Sequence, residues 1–239
     1  MALNKNVIHH SWQPWIDEAL LTMDQEYLKG ISQSNDWLPG PEKIFNAFSI
    51  PVDQVNYILL GESPYPRRES ANGYAFWDNA VESLWSERGL SKKINRATSM
   101  RNIMKMLLLA EGKLCADDLS QTAIANCKKD QYIQTNQSLF ESLLSKGFLL
   151  LNASLVLSNQ NVRHDAKHWR PFITKMLSKL IEHNTNIKLL LFGKLAESID
   201  HMDLPDSPRL IAEHPYNLSF ITNKEVLRFF KPLQILRSA

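Results

Sequence analysis

Four short, nearly continuous apolar runs punctuate the chain: Val55–Gly61, Gly147–Asn152, Ile187–Gly193 and Arg209–Glu213. The first three close on Gly or Asn, and the fourth stops just before His214. Runs of this length suit strands buried on both faces, as in a parallel sheet. Longer amphipathic stretches lie between them. Met100–Glu111 places Ile103, Met106, Leu107 and Ala110 on one helical face, and Gln137–Lys146 and Trp169–His183 show similar spacing. Strand and helix alternating through short turns predict an α/β sandwich with a mostly parallel sheet.

Two stretches do not follow this rhythm. Asp78–Thr98 is charged, with Trp85 and the cluster Lys92, Lys93 and Arg96, and Cys115–Asp130 is polar. Both are expected as surface excursions, the first as a solvated loop, and residues 1–239 as a single domain. No internal repeat or Gly/Ser linker divides the chain.

In open α/β sheets, ligands bind beyond the carboxyl ends of the strands. The first run is followed there by Gly61-Glu62-Ser63-Pro64-Tyr65-Pro66, the second ends on Asn152, and the fourth leads into His214-Pro215-Tyr216-Asn217-Leu218-Ser219. Tyr65, Asn152 and His214, with Glu62 and Ser63, are therefore expected at one sheet edge, and Ala71–Phe76 adds an aromatic. Singly, each has an ordinary structural explanation: a turn aromatic, a turn or cap Asn, a satisfied His. Together they have a specific chemistry. An aromatic face stacks a planar heterocycle, an Asn amide reads a base edge with one donor and one acceptor, and a neutral His donates to an oxygen on which negative charge develops.

Composition narrows the classes. The 27 Lys and Arg against 25 Asp and Glu leave a net charge of +2, which excludes a polybasic binder but not a local basic face. Two cysteines, Cys115 and Cys127, cannot build a disulfide framework or a four-cysteine metal site, and are read as ordinary thiols. No apolar stretch approaches the ~20 residues of a membrane span. A cytoplasmic, membrane-free protein is expected. The chain has no Gly-rich phosphate loop, which disfavours a free-nucleotide enzyme.

At these residues the sequence resembles the uracil-DNA glycosylase superfamily, most closely its common bacterial and eukaryotic family. Ile44-Phe45-Asn46-Ala47-Phe48 precedes the first strand as in that family. Leu59-Leu60-Gly61-Glu62-Ser63-Pro64-Tyr65-Pro66 looks like its water-activating motif, and Gly73-Tyr74-Ala75-Phe76 like the segment that follows. Ser99-Met100-Arg101-Asn102-Ile103 resembles a phosphate-contacting segment. Leu149-Leu150-Leu151-Asn152-Ala153-Ser154-Leu155, His164 with Trp169 and Phe172, Leu189–Lys194 and His214–Ser219 continue the ordered match.

The resemblance implies a three-layer α/β/α sandwich with a central, mostly parallel four-stranded sheet. It implies a DNA-binding monomer that flips uracil or a related damaged base and hydrolyses its N-glycosidic bond in base-excision repair, with no cofactor and no metal. Phe76 would stack on the base, Asn152 would read its edge, and Tyr65 would crowd C5 and exclude thymine. His214 would stabilise the departing uracil anion. Leu218 would fill the vacated stack, and Ser99, Lys194 and Ser219 would contact phosphates.

The sequence also departs from the family. The family's catalytic Asp is Ser63 here, so either Ser63 or the adjacent Glu62 would hold the water. The Glu-small-Pro pattern also resembles the iron–sulfur branch of the superfamily, whose four-cysteine cluster two cysteines exclude. Tyr216-Asn217 replaces Ser-Pro in the wedge loop, Pro66 replaces a His, and Lys194 replaces a Ser. The alternative is a catalytically inactive relative that binds DNA or a protein partner without base excision.

Overall fold

Leu149, Leu150 and Leu151 carry no polar side-chain atom, nor do Ile58, Leu59 and Leu60, and burial removes all six from water. A computed structural model describes residues 3, 5–34, 36–159 and 161–237. Its strands are β1 (Trp37–Leu38), β2 (Tyr57–Gly61), β3 (Trp85–Ser86), β4 (Gly89–Leu90), β5 (Phe148–Asn152), β6 (Leu157–Ser158), β7 (Lys188–Phe192) and β8 (Arg209–Ala212). Its α-helices are α1 (Gln13–Leu21), α2 (Gln25–Gln33), α3 (Lys92–Arg96), α4 (Thr98–Ala110), α5 (Gln121–Ala125), α6 (Asn136–Ser145), α7 (Val162–His183), α8 (Leu195–Asp200) and α9 (Lys224–Phe230).

The four apolar runs become the central sheet, in the order β5-β2-β7-β8. It is parallel and flanked by helices, as the sandwich expectation required. β2 and β5 run side by side in a register that pairs Tyr57 with Phe148 and Gly61 with Asn152. That register brings the carboxyl ends of both strands level. It places the first motif and the Asn152 segment beside each other.

The described residues gather into two compact units. The first comprises Met1–Asp78, Gly147–Leu190 and Leu195–Arg209; the second comprises Asn79–Lys146, Leu191–Lys194 and Leu210–Ala239. In the first unit α1 packs along α7, and Trp12, Phe48, Trp169 and Phe172 are buried in one aromatic cluster. α7 begins well before the periodic stretch at Trp169. The Asn161 side chain accepts from His164 N–H, and Asp165 is fully buried, accepting from Tyr27 Oη at 2.8 Å and from Ser158 N–H at 2.6 Å. Polar side chains thus start the helix where no apolar period announces it.

The Asp78–Thr98 excursion, which belongs to the second unit from Asn79 on, is not a solvated loop. Val81, Leu84, Trp85, Leu90 and Ile94 are buried, and Trp85 Nε1 donates to the Ile133 carbonyl at 2.7 Å. Gln121 Oε1 accepts from the Leu90 N–H at 2.8 Å, and Ser91 caps α3. Charged residues alternating with these apolar ones concealed a small hairpin core. Only its outer face, with Lys92, Lys93 and Arg96, meets solvent. Among the described residues, no helix is long and apolar enough to cross a membrane, and the two cysteines are free thiols.

Candidate active site

The first unit brings Glu62, Ser63, Tyr65, Phe76 and Asn152 together. Its key contact follows from the sheet register. Asn152 is buried at the end of β5, opposite Gly61 at the end of β2. A Cβ on Gly61 would lie 2.5 Å from Asn152 Oδ1 and 2.8 Å from Ala75 Cβ. Glycine is required here by close approach: the space a side chain would fill belongs to the Asn152 amide.

Backbone bonds tie the segments around that amide. Ala153 N–H donates to the Gly61 carbonyl at 2.8 Å, Ser154 N–H to the Glu62 carbonyl at 3.0 Å, and Ala75 N–H to the Leu150 carbonyl at 3.0 Å. Glu62 is exposed and Ser63 half-buried, and Ser63 Oγ donates to the Pro64 carbonyl over a long 3.5 Å. The hydroxyl is thus loosely held.

Tyr65 Oη donates to the Phe76 carbonyl at 3.2 Å. Burial first, and the Asp78 charge second, push its phenol well above the ordinary tyrosine range, so it stays protonated. Asp78 in turn pairs with Arg67 at 3.2 Å. Phe76 itself has φ +62°, an uncommon conformation for a bulky residue. Sequence reading missed the bonds that tie the turn preceding it. Asn46 Nδ2 donates to the Asn72 carbonyl at 2.8 Å, and Asn72 Oδ1 accepts from Tyr74 N–H at 3.1 Å. The Asn46 motif preceding β2 was the available signal.

The second unit carries Ser99, Lys194, His214, Leu218 and Ser219. Gly193, φ +68°, turns the chain after β7, and a Cβ there would come within 2.8 Å of His214 Cβ. His214 Nδ1 accepts from Tyr216 N–H at 3.1 Å. A backbone N–H can only donate, so Nδ1 is the unprotonated nitrogen and the neutral ring carries its proton on Nε2.

Beyond His214 the loop closes as a turn, Asn217 N–H donating to the His214 carbonyl at 2.9 Å. It displays Tyr216, 67% exposed, and Leu218, 70% exposed. The next residues, Phe220 and Ile221, are buried, with the Phe220 ring edge-on to Phe192. Glu213, which the sequence reading did not single out, accepts from Asn223 Nδ2 at 2.8 Å. A hydrogen bond from the Ser219 side chain, first, and the Asn223 bond hold its carboxyl below the ordinary range.

Ser99 lies in the first turn of α4, whose N-terminus has no side-chain cap. Arg101 and Lys105 follow on the same helix, and burial first, with the Arg101 charge second, lowers the Lys105 pKa. Lys92, Lys93 and Arg96 on α3 are exposed, with Lys93 paired to Glu82 at 3.4 Å. Among the described residues, no group of three or more His, Cys, Asp and Glu could hold a metal ion.

No family model matches the chain. The wild-type UNG crystal structure from Nitratifractor salsuginis is 37% identical to it, with a TM-score of 0.92, covering 98% of this chain and 94% of that one. A uracil-DNA glycosylase of Amoebophilus asiaticus is 26% identical over 193 residues, 78% of this chain and 74% of the relative. One from Corynebacterium glutamicum is 26% identical over 223 residues, 89% of this chain and 81% of the relative. The mimivirus uracil-DNA glycosylase structure, 16% identical with a TM-score of 0.60, shares the fold, covering 90% of this chain and 71% of that one.

Proposed function

The chain belongs to the uracil-DNA glycosylase family, and from that premise we propose how its residues carry out uracil excision in base-excision repair. The observation that carries the reading is the His214 tautomer. Hydrolysis joins a water oxygen to the sugar C1′ and breaks the C1′–N1 bond. The electron pair of that bond leaves with uracil and spreads onto its carbonyl oxygens, and the water's proton ends on the departing base. A neutral His214 fixed with its proton on Nε2 is a hydrogen-bond donor prepared for that charge.

The other roles follow from position. Asn152, buried against Gly61, reads the uracil edge with its amide. Phe76 stacks on the ring. Tyr65, neutral and tied to the Phe76 carbonyl, crowds C5 and excludes the thymine methyl. Ser63 or Glu62 holds the water. A hydroxyl at position 63 orients water but offers no negative charge to a cationic sugar, so the rate is lower than a carboxylate there would support.

DNA is the partner. Leu218 enters the base stack, and flipping one base costs a few kcal/mol that phosphate contacts must offset. Ser99 at the uncapped start of α4 and Lys194 make such contacts, with N–H groups of the helix start adding donors. Ser219, exposed on the loop after His214, adds a hydroxyl to them. We further propose a cytoplasmic monomer, in keeping with two free thiols and a surface that need enclose one lesion only. The binding-only alternative is not favoured by relatives that are themselves named uracil-DNA glycosylases.

The test is incubation with a uracil-containing single-stranded oligonucleotide and alkaline cleavage at the abasic product. Strand cleavage is expected. Binding of the oligonucleotide without cleavage contradicts the reading.

A further inference from the structure

The loop that displays Tyr216 and Leu218 is held from beneath by one side chain. Asn102, on the second turn of α4, is fully buried. Its Nδ2 donates to the Pro215 carbonyl at 2.8 Å and lies 3.3 Å from the Tyr216 carbonyl and 3.4 Å from the Asn217 carbonyl. Its Oδ1 is buried with no hydrogen-bond partner. That asymmetry fixes the amide's orientation, because a flip would set the oxygen against three carbonyl oxygens. An unsatisfied buried acceptor is costly, and it is tolerated here beside a donor shared by three consecutive peptide groups.

With those carbonyls drawn inward, the side chains between them are turned outward. Tyr216 and Leu218 are two of the five large apolar residues exposed among the described residues, and they sit within three positions of each other. The Tyr216 N–H that sets the His214 tautomer belongs to the same peptide run. That bond is local to residues 214–216, so what the buried amide itself governs is the projection of the wedge.

We propose that Asn102 is the positioning residue of the 214–219 loop, presenting Leu218 and Tyr216 to the base stack through the carbonyls of Pro215, Tyr216 and Asn217. This rests on the reading of Leu218 as the wedge. A preformed wedge saves the ordering of a flexible loop at the moment of flipping. Its benefit is largest where a base must be drawn from a duplex, and small where uracil is already unpaired.

The experiment compares wild type, Asn102→Ala, Leu218→Ala and the double variant for kcat/KM on duplex and on single-stranded uracil DNA. Hydrogen exchange at the backbone amides of residues 216–219 is followed in parallel. Asn102→Asp, which keeps the side-chain volume but replaces the donor with an acceptor, serves where the alanine variant melts early. We expect Asn102→Ala to lower duplex excision by about tenfold, the scale of one lost hydrogen bond to a positioned group. On single strands the loss should be under about threefold, the double variant should lose little more than Leu218→Ala alone, and exchange at 216–219 should rise. Equal losses on both substrates, additive losses in the double variant, or unchanged exchange overturn the proposal. A wild type that releases no uracil contradicts the functional reading instead, and the exchange comparison still decides the role of Asn102.

Discussion

Tyr216 N–H donates to His214 Nδ1 at 3.1 Å, so the backbone of the wedge loop decides which imidazole nitrogen carries the proton. In the proposed reaction, the loop that displays Tyr216 thereby sets the donor offered to the departing base. Replacing His214 by Ala should lower the single-turnover rate of uracil release by about 10²–10³, the usual loss for one preorganised donor. Affinity for uracil DNA should stay within a few-fold, because the interaction strengthens only as charge develops. Quenched-flow release on saturating oligonucleotide separates the two quantities.

Gly61 stands against Asn152 in the same way that Gly193 stands against His214. Gly61→Ala puts a methyl group 2.5 Å from Asn152 Oδ1, closer than two such atoms can rest. The amide must turn, because Gly61 and Asn152 face each other across the β2–β5 ladder. We expect a stability loss of about 1–3 kcal/mol from overpacking. Uracil excision should fall far more than that loss of folded protein explains. Denaturant melts alongside steady-state kinetics check the comparison.

Much of this was legible in the chain. The four apolar runs became β2, β5, β7 and β8 with ends shifted by a residue or two; the first three are buried on both faces as expected, whereas β8, at the sheet edge, alternates, with Arg209 and Ile211 exposed. The residues following those runs are the ones to which the proposed roles fall. Asp78–Thr98 was misread because its buried residues alternate with charged ones and match neither a helical nor a strand period over any useful length. Asn46, Asn102 and Glu213 were passed over for a different reason. Their work is to bond backbone or side chains distant in sequence, and a single polar residue gives no periodic trace of a tertiary partner.

The position of the water-holding group is open to a direct gain-of-function test. Ser63 is half-buried and weakly bonded, so a larger polar group meets little competition there. Ser63→Asp should raise uracil excision by about tenfold or more by restoring a negative charge near the cationic sugar. No gain in a folded variant assigns the water to Glu62, and Glu62→Gln then becomes the decisive comparison.

Glu213 links the wedge loop to pH. Hydrogen bonding, from Ser219 first, depresses its folded-state pKa. A depressed carboxylate pKa stabilises the native state above the unfolded-state value, and that stabilisation is lost as pH falls through the folded value. Glu213→Gln should therefore be less stable than wild type at neutral pH, and the difference should shrink on acidification. Thermal melts across the acid range read this directly. A difference that grows on acidification contradicts the assignment.

The central claim of the proposed function is that Asn152 and His214 are each needed for uracil excision. It is tested most directly by uracil release from a single-stranded oligonucleotide, with wild type, Asn152→Ala and His214→Ala purified side by side. The account predicts release by wild type and its loss by at least about a hundredfold in each variant, with the fold intact. Equal release by all three proteins, or none by wild type, contradicts it.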